Sequence, residues 1–239
     1  MSMKTIGLLG GMSWQSTRVY YDLVNKAVAG RRGGLHSAEI LMRSVDFAGL
    51  EAAMRRGDWP MIEARLGDEA AALAAGGADC LLLCTNTMHR MFDGIAARVD
   101  IPFFHIADTL GRALEADGLR RVALLGTRFT MTENFYAARL AAGFGIETMV
   151  PGGSQIVDID RIIFEELCHG VVADGSRGIL LGIMDDLASR GAEGIILGCT
   201  EIEMLVKPRH HHLPLYDTTA LHAHHAVDWA LRDLALAEG

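Results

Sequence analysis

Two similar α/β domains, each a parallel sheet covered by helices, are what this 239-residue sequence predicts, on three observations. Short aliphatic runs alternate throughout with longer Ala-, Leu- and charge-rich segments of helical period, the rhythm of a parallel sheet buried on both faces. An aliphatic strand that breaks into a small polar cluster occurs twice, as LLLCTNT at Leu81–Thr87 and IILGCTE at Ile195–Glu201, and the ungapped match sets Thr85 against Cys199. Two further landmarks repeat: IGLLGG at Ile6–Gly11 matches VALLGT at Val122–Thr127, and IPFFHIADT at Ile101–Thr109 resembles LPLYDTT at Leu213–Thr219. The three offsets are 114, 116 and 112 residues, a drift that marks a diverged duplication. The domains are therefore expected to be related by a pseudo-two-fold axis.

Taken in order, the expected strands are 5–9, 39–44, 79–83, 103–105, 121–125, 147–150, 194–197 and 215–216. Helical period marks 16–29, 60–75, 132–142, 161–169 and 177–190 between them. The segments around Arg43–Arg56 and Gly152–Asp160 are read as loops that shape a pocket. No Pro/Gly/Ser linker separates the halves, so the repeat places the boundary. Residues 1–114 with 215–239 form the first domain and 115–214 the second, the final segment returning as a helix onto the first. Ligands of open parallel sheets sit at the C-terminal strand ends, which puts the expected site in the cleft between domains.

Half the residues are hydrophobic, enough for a sizeable core, and 22 Lys plus Arg against 30 Asp plus Glu give a net charge of −8. That balance argues against nucleic acid and anionic membranes as partners, though not against a small acidic ligand held by a local basic pocket. No run approaches the roughly 18 apolar residues of a membrane span, and the opening MSMKTIGLLGG lacks the apolar stretch of a secretion signal. Cys80, Cys84, Cys168 and Cys199 show neither disulfide-framework nor zinc spacing, so a reduced, cytoplasmic location is expected.

The chemistry gathers at the strand ends. Thr85, Asn86 and Thr87, like Cys199, Thr200 and Glu201, bring small polar side chains and backbone N–H groups to a place where a carboxylate can be held. One such cluster alone is most simply a helix cap, but its duplication favours a site with a proton-transfer residue in each half. The glycine turn at Gly7–Gly11 departs from G-x-G-x-x-G and has no acidic residue at a convincing strand end some 20 residues on, which argues against a nicotinamide cofactor. Gly10, Gly11, Met12 and Ser13 read instead as a tight turn whose backbone approaches substrate.

Five segments together carry a resemblance: IGLLGGMSWQST, CTNTMH at Cys84–His89, LLGTRFTMTENFY at Leu124–Tyr136, IIFEELCHG at Ile162–Gly170 and GCTEI at Gly198–Ile202. In this order, over nearly the whole chain, they resemble the aspartate/glutamate racemases, and most closely the L-aspartate/glutamate-specific subgroup with a Thr/Cys pair. The resemblance implies two Rossmann-like domains, cofactor-independent racemisation of acidic amino acids, and a homodimer. It makes Thr85 and Cys199 the two-base proton-transfer pair, on opposite faces of the substrate α-carbon. Most of the family carries Cys at both positions, whereas here the first is Thr85 and its neighbour Cys84 points to the other face of the strand, into the core. The thiol then reads as the better base and the Thr85 hydroxyl as the proton donor.

The substrate-binding set expected beside that pair is Met12, Ser13, Asn86, Thr87, Arg128, Thr200 and Glu201. Arg128 is preferred over Arg43 and Arg55 as the cation for a substrate side-chain carboxylate. His210, His211 and His212 read as a surface loop rather than a metal site, since three consecutive residues cannot all face one ion, and no metal is expected. His89 and His105 lie nearer the expected site, where they either bond structural partners or orient site groups. Other readings are a one-thiol decarboxylase or isomerase of the same superfamily, a racemase of broad spectrum, and a non-catalytic amino-acid-binding module.

Overall fold

The computed structural model describes residues 3–238, with side chains described as far as Leu234. It contains eight strands: β1 (Ile6–Gly10), β2 (Ile40–Ser44), β3 (Cys80–Leu83), β4 (Phe103–Phe104), β5 (Arg121–Gly126), β6 (Glu147–Met149), β7 (Gly194–Gly198) and β8 (Leu215–Asp217). They form two four-stranded sheets, ordered β2-β1-β3-β4 and β6-β5-β7-β8, with every pairing parallel. The duplication read from the sequence is thus a duplication of topology. The central strands β1, β3 and β7 are buried along their length, and β5 from Val122 onward, as a sheet covered on both faces requires.

Contacts divide the chain into two compact units, Met1–His105 with His222–Gly239, and Ile106–Leu221. The sequence repeat sets these seams some seven to nine residues away, at 114/115 and 214/215. The helix Ile106–Ala116 accounts for the first difference. It buries Ile106, Ala107, Leu110 and Leu114 in the core of the second unit with Val122, Tyr136, Leu140 and Ile196. Arg139 clasps Asp108 of this helix with two bonds of 2.6 and 2.8 Å. The C-terminal helix Thr218–Glu238 returns as expected, placing Ala223, Ala226, Val227, Ala230 and Leu231 in the core of the first unit beside Ile6, Leu8, Tyr20 and Val24.

The two segments read as loops are helical. Asp46 caps Phe47–Arg56 by accepting from the Ala48 N–H, Arg55 and Arg56 close its last turn, and Gly57 ends it in the left-handed conformation. Gly153–Arg161 is the other; it runs on through a π-helical turn at Ile162–Glu166 and a 3₁₀ turn at Leu167–His169. Arg161 and Ser176 hold Glu166 from two sides at 2.6 Å each, pinning that irregular turn. Among the described residues no helix is long and apolar enough to cross a membrane.

Candidate active site

In each sheet the glycine turn and the polar cluster meet at one edge, because the strands that carry them are neighbours in register. Leu9 pairs with Leu83 in the first sheet; Leu125 pairs with Leu197 and Gly126 with Gly198 in the second. These adjacent strand ends lie where the strand order reverses, the place at which helices leave to opposite faces and a crevice opens.

In the first unit, Gly11 takes φ +97°, a conformation that glycine adopts without the steric cost of a Cβ. Its N–H donates to Thr17 Oγ1 at 2.7 Å, and the Thr17 hydroxyl donates to Ser13 O at 3.0 Å. Ser13 Oγ accepts from the Ser16 N–H at 3.2 Å and so caps the helix Trp14–Arg32. Of the two turn residues expected to bind substrate, Met12 is buried and Ser13 spends its hydroxyl on this cap. At the neighbouring strand end Thr85, Asn86 and Thr87 are all buried. The Asn86 side chain does not cap the 3₁₀ helix Thr87–Met91 that it precedes. Cys84 packs with Ile6, Leu8 and Leu82 in the core, and burial drives its thiol far above the ordinary range.

In the second unit the close approach of β5 and β7 depends on glycine: a Cβ on Gly126 would stand 2.9 Å from Gly198 O. Thr127 caps the short helix Arg128–Thr132, its hydroxyl accepting from the Thr130 N–H at 3.3 Å. Cys199 is buried, and its thiol donates to Glu201 Oε2 at 2.9 Å. Thr200 Oγ1 lies 2.9 Å from Thr219 Oγ1, both hydroxyls buried.

Burial first, then the negative charge of Glu201 and the hydrogen bond to it, then Cys168, raise the Cys199 thiol well above its ordinary value. The Glu201 N–H lowers it, as a backbone donor does, but is the smallest influence. The resting group is accordingly a protonated thiol already aligned on a carboxylate, so the better base of the pair must first lose its proton. Glu201 is expected from sequence to contact substrate, and its Oε2 accepts from that thiol.

The candidate cations sort by their partners. Arg43 Nε donates to the buried Glu69 at 2.6 Å, Arg65 holds the same carboxylate at 2.9 Å, and Arg55 is bonded to Glu51. Arg128 is exposed at the start of its helix, its backbone N–H donating to Asp160 at 2.7 Å and its guanidinium 5.4 Å from the Phe129 ring centroid.

One group among the described residues brings metal-ligating atoms together, those of Asp185, His211 and His212, all within 4.8 Å of one another. His211 Nδ1 accepts from the Leu213 N–H at 3.2 Å, which leaves the proton of the neutral ring on Nε2, the atom 3.2 Å from Asp185. A metal-bound imidazole instead donates its second N–H outward, so this surrounding is wrong for an ion. His210 turns away to accept from the Lys207 N–H at 3.1 Å.

Sequence reading passed over Glu203 and left His89 undecided. His89 Nδ1 donates to Thr85 O at 2.7 Å, and burial followed by a hydrogen bond to Asp217 pushes the Glu203 carboxyl up to about 11. The signal was present in the repeat, since the offsets of 114 and 112 set His89 against Glu203 and His105 against Asp217.

Residues 9–226 match the family model described as Asp/Glu/hydantoin racemase. Among solved structures, a proposed Asp/Glu racemase from Yersinia pestis is 43% identical with a TM-score of 0.89, over 96% of this chain and 100% of that one. An aspartate racemase homologue from Pyrococcus horikoshii is 30% identical with a TM-score of 0.81, over 95% and 99% of the two chains. The aspartate racemase of Picrophilus torridus, 16% identical with a TM-score of 0.74 over 97% and 94%, shares the fold.

Proposed function

This chain is an enzyme of the Asp/Glu/hydantoin racemase family, and from that premise we propose that it racemises acidic amino acids, L-aspartate and L-glutamate, without a cofactor, by α-proton transfer between Cys199 and Thr85. The observation that carries the reading is the paired strand end. Thr85 and Cys199 follow equivalent central strands of two sheets with the same strand order, each beside a glycine turn.

Because Cys199 rests as a thiol bonded to Glu201, its base form is made by passing that proton to the carboxylate. The thiolate then takes the α-proton, and the negative charge left on Cα spreads into the substrate α-carboxylate, held by backbone N–H groups around Asn86–Thr87 and Thr200–Glu201. The Thr85 hydroxyl donates its proton to the opposite face, completing inversion; before the next turnover the Thr85 alkoxide takes up a proton and the Glu201 carboxyl gives up the one it received, by exchange with solvent, which restores the starting protonation. A threonine hydroxyl is a far weaker acid than a thiol, so the return step from the Thr85 side is the harder one. Enantiomers have equal free energies, so kcat/KM is equal in the two directions and any handedness appears in kcat and KM separately. Arg128, exposed at the end of β5, is the proposed partner of the substrate side-chain carboxylate.

Measuring α-proton exchange in deuterated water, by mass and by chirality, across both enantiomers of aspartate and glutamate tests the proposal. Exchange is expected with both acids and is to be abolished in Cys199→Ala; full exchange in that variant overturns the pair. The asymmetry of one thiol and one hydroxyl supports a second reading, a one-thiol decarboxylase or isomerase, which gains if Thr85→Ala leaves turnover intact.

A further inference from the structure

The Thr85 carbonyl is where the first strand end departs from its copy. In the second unit the equivalent carbonyl, that of Cys199, accepts from the Ile202 N–H at 3.1 Å, a bond within the backbone. In the first, the His89 N–H is spent on Asn86 O at 3.1 Å, and Thr85 O accepts from the His89 side chain at 2.7 Å. A carbonyl oxygen has no proton to offer, so Nδ1 carries it and the tautomer is assigned by the contact. On its other side Thr85 donates its N–H to Leu83 O at 2.8 Å, so both peptide groups of Thr85 are pinned, and with them the direction of its Cα–Cβ bond.

The ring that does this is itself locked. His89 is 2% exposed, stacked on Phe92 at 5.5 Å and 5° between planes, and edge-on to His105 at 4.6 Å. His222 closes the cluster, its Nδ1 bonded to Tyr20 Oη and its Nε2 to Phe104 O, each at 2.9 Å. Such rigidity is more than a turn needs to form, but it is what a group that must be held to a fraction of an ångström requires.

We propose that His89 is a positioning residue for Thr85: its Nδ1–H, by holding the Thr85 carbonyl, aims the Thr85 hydroxyl at the α-carbon. The inference rests on the racemase reading above. His89 acts through the Thr85 backbone. Loss of the bond therefore affects proton delivery from Thr85 and spares α-proton removal by Cys199.

Two measurements test it. Nitrogen-15 NMR of histidine side chains in the wild-type protein without substrate should show His89 as the Nδ1–H tautomer, with Nε2 unprotonated; the Nε2–H tautomer overturns the proposal. His89→Asn places an amide N–H where Nδ1–H stands and should keep inversion within about threefold of wild type, whereas His89→Leu should slow inversion roughly tenfold to a hundredfold. In His89→Leu the α-proton exchange that proceeds without inversion should change less than about threefold, so that the ratio of exchange to inversion rises. An equal loss of both, or an asparagine variant as impaired as the leucine one, overturns the proposal. Should His89→Leu not fold, His89→Gln, whose amide reaches the Nε2 position instead, carries the same expectation. Absence of exchange in the wild type would sink the racemase reading itself, and the tautomer would still decide the hydrogen bond.

Discussion

At the end of β3 the titratable neighbours of the proposed catalytic residue are imidazoles, His89 and His105; at the end of β7 they are carboxyl groups, Glu201 at Cys199 itself with Glu203 and Asp217 behind. The backbone was duplicated and the electrostatics were not. A hydroxyl, the intrinsically weaker acid, sits in the half where the neighbouring side chains are packed imidazole rings. The thiol, intrinsically the stronger acid, sits where burial and a carboxylate hold it protonated. The second half therefore narrows the gap in proton affinity that the side chains alone would create. That is a condition for two unlike groups to exchange roles across one substrate.

The largest effects test whether both halves take part. Cys199→Ala is expected to lower exchange and inversion together by about a thousandfold or more, read by deuterium incorporation and polarimetry. Thr85→Ala should remove inversion to the same extent yet leave exchange of one enantiomer, and equal loss of both signals would break the division of labour. A smaller effect sharpens the electrostatic contrast. Glu201→Gln removes the second-largest cause of the raised thiol pKa, so alkylation of Cys199 by iodoacetamide at neutral pH should quicken several-fold. A rate no faster than that of the wild type would mean that the carboxylate does not hold the thiol protonated.

The smallest effect concerns stability. The folded Glu203 pKa of about 11 lies above the roughly 4.3 of an unfolded chain, so the native protein keeps a proton that the unfolded one releases. That contribution is full below about pH 4.3 and is lost as pH rises towards 11. Glu203→Gln keeps the hydrogen bond and cannot ionise. Urea unfolding between about pH 6 and 9 should then fall less steeply with pH in the variant than in the wild type, by up to about 1.4 kcal/mol per pH unit. Parallel slopes would place the shared proton elsewhere.

The eight strands, their grouping into two like halves, and the positions of Thr85 and Cys199 at strand ends were all legible in the sequence, because aliphatic period, turn chemistry and repeat offsets are properties of neighbouring residues. The helix Phe47–Arg56 was legible too, in Asp46, the closing arginines and Gly57, but its ten residues fell below the length at which period speaks clearly. What only the tertiary structure decided is which groups touch and which are stripped of water. It paired Arg43 with Glu69, removing one candidate cation, and buried Cys199 against Glu201, so that the better base of the pair rests as a thiol. It also turned the His89 ring onto the Thr85 carbonyl and gave His211 a tautomer unsuited to metal. Charge state depends on desolvation and on contacts of a few ångströms, and these are set by how distant segments pack and not by the order of residues along the chain.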